Sequence, residues 1–179
     1  MKTTLLIIDV QRGLCEGEGR AFESDAVIAR INQVAVRARA ARAPVVFIQH
    51  ESVAGYLEHA SREWQLADGL QAEPGDWRVR KTTPDAFQGT DLDALLKAHG
   101  VTRLIVCGMH SEFCVDTTTR RALALGYPVT LVSDGDTSAG NAVLSLRQVI
   151  DHHNATLTNI TSFGPRVLAV ASADLQVGA

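Results

Sequence analysis

A chain of 179 residues, 46% of them hydrophobic, is long enough for one domain with a sizeable core. A formal net charge of −3, with the 17 Lys and Arg dispersed, gives no electrostatic reason to expect nucleic acid or an anionic membrane as a partner. No apolar run approaches the ~20 residues of a membrane span, Asp9 interrupts the first run too early for a signal-peptide core, and three cysteines without Cys-x-x-Cys spacing do not make a disulfide framework. The expectation is one cytoplasmic domain over residues 1–179.

In chain order, short apolar runs alternate with longer amphipathic stretches, which predicts βαβ units and a largely parallel sheet. The first strand is Thr4 to Ile8. A helix follows from about Asp25, with Ser24 as its N-cap and Val27, Ile28, Ile31, Val34, Ala35 and Ala38 at helical spacing. Pro44 opens a second strand, Val45 to Ile48. Residues 50–76, rich in turn signals, form a long connection with one short helix, and connections of that length are often functional. Trp77 to Lys81 is a short third strand. Thr90 caps a helix that buries Leu92, Leu95 and Leu96 and stops at Gly100. Arg103 to Cys107 is the fourth strand.

The helix after it ends at Gly126, with Pro128 beyond, and Val129 to Val132 is the fifth strand. A helix near Val143 to His153, a strand near Thr156 to Ile160 and a last helix from Pro165 complete the pattern. The fold class is therefore α/β: a three-layer domain around a mostly parallel sheet of about six strands.

In such sheets ligands bind beyond the carboxyl ends of the strands. Three reactive side chains fall on that edge: Asp9 ends the first strand, Lys81 ends the third, and Cys114 lies just after the fourth, in the turn "GMHSEFC". Each alone has an ordinary structural reading, as a capping carboxylate, a solvated lysine or a packed thiol. Cys107 inside its apolar strand is read as packing, and Cys15 in the loop Gly13–Gly19 as incidental. With Ser111 as N-cap, Cys114 is the third helical residue, where unpaired N–H groups and the macrodipole lower a thiol pKa and Lys81 adds to the effect. Asp9 can then exchange protons with the thiol and a leaving group, and the same N–H groups can hold an oxyanion. The set suits acyl transfer. A phosphoacceptor receiver domain also uses an Asp and a Lys, but it needs a second acidic residue, and Ile8 and Val10 flank Asp9.

The pieces LLIIDVQ, RKTTPDAF and GMHSEFCVDTT, with Gly-x-x-Ser-x-x-Cys spacing, resemble the isochorismatase-like cysteine hydrolase superfamily, which includes nicotinamidases and N-carbamoylsarcosine amidohydrolases. The resemblance implies a Rossmann-like fold, a catalytic Asp9–Lys81–Cys114 triad working through a thioester, and a cis Met109–His110 peptide. It also implies an oxyanion hole from the N–H groups of His110 and Cys114, and a homodimer or homotetramer. Gln11, Phe87 and His110 are the expected substrate-binding residues. Cys114 argues against enol-ether hydrolysis by the true isochorismatases, which lack it. The Asp-x-His of metal-dependent nicotinamidases is replaced by Gln49-His50-Glu51-Ser52. His50, Glu51 and His59 are read as separate side chains, with no metal and no cofactor. The reading is a hydrolase of a small amide, ureido or hydrazide-like C–N bond. A metal-dependent nicotinamidase and a non-catalytic binding member are the alternatives.

Overall fold

The computed structural model describes residues 2–178. Its strands are β1 (Thr3–Ile8), β2 (Val45–His50), β3 (Trp77–Lys81), β4 (Arg103–Met109), β5 (Val129–Thr137) and β6 (Val167–Val170). They form one six-stranded sheet in the order β3-β2-β1-β4-β5-β6, and every neighbouring pair is parallel. The helices are α1 (Arg12–Cys15), α2 (Ser24–Ala40), α3 (Leu92–Ala98), α4 (Asp116–Ala124) and α5 (Leu146–Thr158). A single π-helical turn, Ser111–Val115, leads into α4.

The central strands are apolar throughout because both faces are covered, the pattern that parallel sheets require. On one face Leu5, Ile7, Phe47, Ile105 and Cys107 pack against Val27, Ile31, Val34 and Ala38 of α2. On the other, Leu6, Ile8, Val46, Leu104 and Val106 pack against Leu92 and Leu96 of α3, Leu123 of α4 and Leu157 of α5. That gives three layers with the sheet in the middle. No helix among the described residues is long and apolar enough to cross a membrane.

Four local expectations are corrected. Residues 156–160 are the last turn and exit of α5: a Ser145–Gln148 capping box starts this helix, and the buried positions Val149, Ile150 and Leu157 keep one stripe to its end. The segment after Pro165 is strand β6, which runs beside β5 with Val129 opposite Val167. Residues 50–76 hold no helix among the described residues, only turns and short bridges. Ser24 is the first residue of α2 rather than its cap, with its hydroxyl donating to the Cys15 carbonyl at 3.3 Å.

One close approach sets the geometry of the site. Gly108, at φ 126°, faces Ile8 in register across β1 and β4. A Cβ at 108 would lie 2.0 Å from the Ile8 carbonyl oxygen, so only glycine fits there.

Candidate active site

The carboxyl ends of β1, β2, β3 and β4 bring together Asp9, His50, Lys81 and the turn that carries Cys114. Asp9 leaves β1 in a left-handed conformation, φ 52°, and is buried. Lys81 ends β3 opposite His50 of β2, and its side chain is fully buried. Its ammonium donates to Asp9 Oδ2 at 2.7 Å, to the Thr83 carbonyl at 3.1 Å and to Cys114 Sγ at 3.2 Å. It also lies 3.2 Å from His50 Nδ1. With three N–H groups for four polar neighbours, the ammonium shares its donors, and its positive charge beside the ring favours a neutral imidazole. Burial and the Lys81 charge both hold the His50 pKa below its usual value.

The other Asp9 oxygen, Oδ1, is buried and has no hydrogen-bond partner. Cys114 Sγ, a carboxylate oxygen of Asp9 and a ring nitrogen of His50 all lie within 4.8 Å of one another. Lys81 thus contacts the sulfur and one carboxylate oxygen, and the other oxygen of Asp9 is left without a partner.

These three residues have the side chains of a metal cluster. Yet Lys81 reaches all three, so a buried cation already balances them, and a divalent ion at that point would meet an ammonium. The His50, Glu51 and His59 set is not assembled. Glu51 pairs with Arg80 at 2.8 Å, and His59 packs edge-on against Trp64.

The thiol corrects the expectation of a resting thiolate. Burial, then the negative charge of Asp9, push Cys114 up to about 12, against the opposing pull of Lys81. Ser111 does not cap the turn, which is the second reason the helix terminus has less effect than expected. His110 is the cap residue, and the Ser111 hydroxyl instead donates 2.5 Å to Asp136 Oδ2. The Phe113 and Val115 N–H groups both donate to the His110 carbonyl, on either side of Cys114, and the Met109–His110 peptide is cis.

Asp136 was not visible as part of this site in the sequence. It lies one residue before the end of β5, beyond an irregularity in register between Val106 and Gly108, and it reaches both Ser111 and Asn154 Nδ2, the latter at 3.3 Å. Burial pushes it up to about 7, opposed by those two hydrogen bonds. An unfolded Asp titrates near ~3.9, so between about pH 4 and 7 the folded chain holds a proton that the unfolded chain has lost. Stability from this group is present below that window and falls as pH rises through about 7. Asp136→Asn, neutral throughout, is expected to flatten this part of the curve. Melting temperatures from pH 5 to 8 would check it, and parallel curves for the two proteins would refute it.

A cavity of about 220 Å³ opens onto the thiol, lined by Asp9, Leu14, His50, Leu57, Pro84, Met109, His110, Phe113 and Cys114. Of the expected substrate-binding residues, only His110 lines it. Gln11 is fully buried, and its amide clamps the chain by donating to the His50 and Trp64 carbonyls and accepting from the His50 N–H. Phe87 is a core residue stacked on Tyr127 at 6.2 Å. Residues 50–76 contribute His50 and Leu57 to the wall.

The chain belongs to the isochorismatase family: residues 3–172 match the isochorismatase domain. It is 40% identical over 131 residues to a streptothricin hydrolase of Streptomyces noursei, covering 73% of this chain and 48% of that protein. The chain thus spans about half the length of the streptothricin hydrolases it matches. A ureidoacrylate amidohydrolase of Methylobacterium radiotolerans is 29% identical over 98% of this chain and 80% of its own length. A crystal structure of an isochorismatase family protein superposes with a TM-score of 0.85 at 35% identity, covering 93% of this chain and 98% of the other.

Proposed function

We propose that this chain is a cysteine-dependent hydrolase that cleaves the C–N bond of a small amide or ureido compound through a thioester. The observation that carries the reading is the convergence of Lys81 Nζ, Asp9 and Cys114 Sγ at the mouth of one cavity. The streptothricin hydrolase and ureidoacrylate amidohydrolase among the relatives point to the same bond type.

A thiol titrating near 12 is almost wholly protonated at neutral pH, so attack is coupled to proton transfer. Asp9 Oδ1 takes the thiol proton as sulfur bonds to the carbonyl carbon. The carbonyl oxygen becomes an oxyanion held by the N–H groups of His110 and Cys114. As the C–N bond breaks, the protonated Asp9 gives its proton to the departing nitrogen and leaves a thioester. The Asp9 carboxylate then draws a proton from water, the hydroxide adds to the thioester carbonyl, and collapse releases the acid and returns the thiol. Lys81 keeps the Asp9 charge in place through both halves and stabilises sulfur as negative charge develops on it.

The test is ammonia or amine release from a panel of amides, ureido acids and hydrazides, with the acyl-enzyme trapped by rapid acid quench and mass spectrometry. Acylation at Cys114 supports the reading, and turnover without it removes the thioester.

Two further outcomes follow. Brief iodoacetamide treatment is expected to modify Cys114 first. Of the three thiols only Cys114 is not buried and lines the cavity, whereas Cys15 and Cys107 are buried and Cys107 is in addition pushed beyond the range where it ionises. Peptide mapping that finds Cys107 labelled first would remove Cys114 as nucleophile. Prolonged dialysis against a strong chelator is expected to leave turnover unchanged, because Lys81 stands where a metal would supply positive charge. Loss restored by Zn²⁺ or Mn²⁺ would favour the metal-dependent nicotinamidase reading. Three unpaired thiols suit a reducing cytoplasm, and assembly as a homodimer or homotetramer accompanies this proposal.

A further inference from the structure

The cavity wall speaks to which amides fit. At about 220 Å³ it is smaller than the roughly 300–1,000 Å³ of drug-sized sites. Five of its nine lining residues, Leu14, Leu57, Pro84, Met109 and Phe113, are apolar. The polar ones are Asp9, His50, His110 and Cys114, and none supplies a positive charge. His50 is held neutral by burial and by Lys81, and His110 is held neutral chiefly by burial. The Lys81 ammonium is fully buried, and its three N–H donors are shared among four polar neighbours, Asp9, His50, Thr83 and Cys114. A second negative charge in the cavity would lose its hydration, face the Asp9 carboxylate and find no cation. Two polar atoms of lining residues have no hydrogen-bond partner: Asp9 Oδ1, which the proposed mechanism uses for proton transfer, and His110 Nε2, which it does not use.

Resting on the amidase reading above, we infer that the substrate is a compact carboxamide whose acyl half is uncharged and mainly apolar, with one neutral polar atom to meet His110 Nε2. Amides that carry a carboxylate on the acyl half are excluded. The four arginines of the larger groove formed by Arg12, Arg62, Arg78 and Arg80 do not alter this, because none of them lines the cavity at the thiol.

The test uses three amides of equal heavy-atom number: 4-methylpentanamide, 4-oxopentanamide and succinamate. They differ only in whether the far end is apolar, neutral and polar, or anionic. Turnover by the intact protein is expected to favour both neutral amides over succinamate by at least about 100-fold in kcat/KM, with the oxo compound ahead. Protection of Cys114 against iodoacetamide by each amide gives the same ranking without requiring turnover. Succinamate equal to or better than the neutral pair in either assay overturns the inference while leaving the hydrolase intact. Protection by neither neutral amide also overturns it. Protection in the expected order with no turnover and no acyl-enzyme would instead sink the catalytic reading and leave the ligand class standing.

Discussion

Asp9→Asn is expected to move two properties of Cys114 in opposite directions. Amide turnover should fall by about 10³- to 10⁴-fold, because a positioned general acid–base contributes ~10² to 10⁴ and Asp9 serves both the formation and the breakdown of the thioester. The thiol itself should ionise more readily. The Asp9 charge is one of the forces raising it, and without that charge Lys81 is left as the ion facing sulfur. The pH profile of iodoacetamide alkylation should therefore shift to lower pH in the variant that has lost activity. More thiolate with less catalysis is the signature of a base that matters for moving protons rather than for creating a resting anion. An unshifted alkylation profile would show that Asp9 does not govern the thiol, and turnover within a few-fold of the parent would remove it as the proton carrier.

Lys81→Met is expected to give the largest loss of stability of any single change at the site. Asp9 and Lys81 form a fully buried pair 2.7 Å apart. Removing one partner leaves an uncompensated buried charge, at a cost of about 3–5 kcal/mol. For a chain of this size that corresponds to a fall in melting temperature on the order of 10 °C. The double variant Lys81→Met, Asp9→Asn, which removes both charges, should regain much of the loss, since buried pairs are often replaceable by uncharged side chains. Calorimetry on the single and double variants would decide this, and additive losses would show that the two residues do not act as a pair. Cys114 alkylation should become slower at every pH in the Lys81 variant, because the cation that stabilises the thiolate is gone.

The residues that meet at the site were legible because the argument that found them depends on strand ends alone. Asp9 and Cys114 follow apolar runs and Lys81 ends the alternating stretch Trp77–Lys81, and a parallel sheet places such positions on one edge. His50 obeys the same rule, directly opposite Lys81 across β2 and β3. Read from its neighbours Glu51 and His59, it is a separate histidine outside any metal site, because local spacing carries no information on strand register. Asp136 was hidden by the register irregularity between β4 and β5, which no apolar pattern encodes. The thiol was misjudged for a related reason. Helix position is readable in sequence, but desolvation depends on what packs over the group from elsewhere in the chain. Residues 156–170 were misread because short apolar runs near a chain's end fit a strand or a helix equally well. The pairing that decides between them is long-range.

The contact between Gly108 and the Ile8 carbonyl has an evolutionary meaning. Ile8 directly precedes Asp9, the proposed proton carrier, and Gly108 opens the turn that holds Cys114, the proposed nucleophile, so main chain pressed on main chain sets the spacing of that pair. The side chains that shape the cavity, Leu14, Leu57, Pro84 and Phe113, come from four separate stretches of chain and take no part in that contact. Part of the selectivity is thereby carried by side chains outside that contact. A lineage can trade one wall residue for another, and so change which compound it accepts, without disturbing the machinery that cuts it. A library confined to those four positions would explore new substrates on an unaltered catalytic frame.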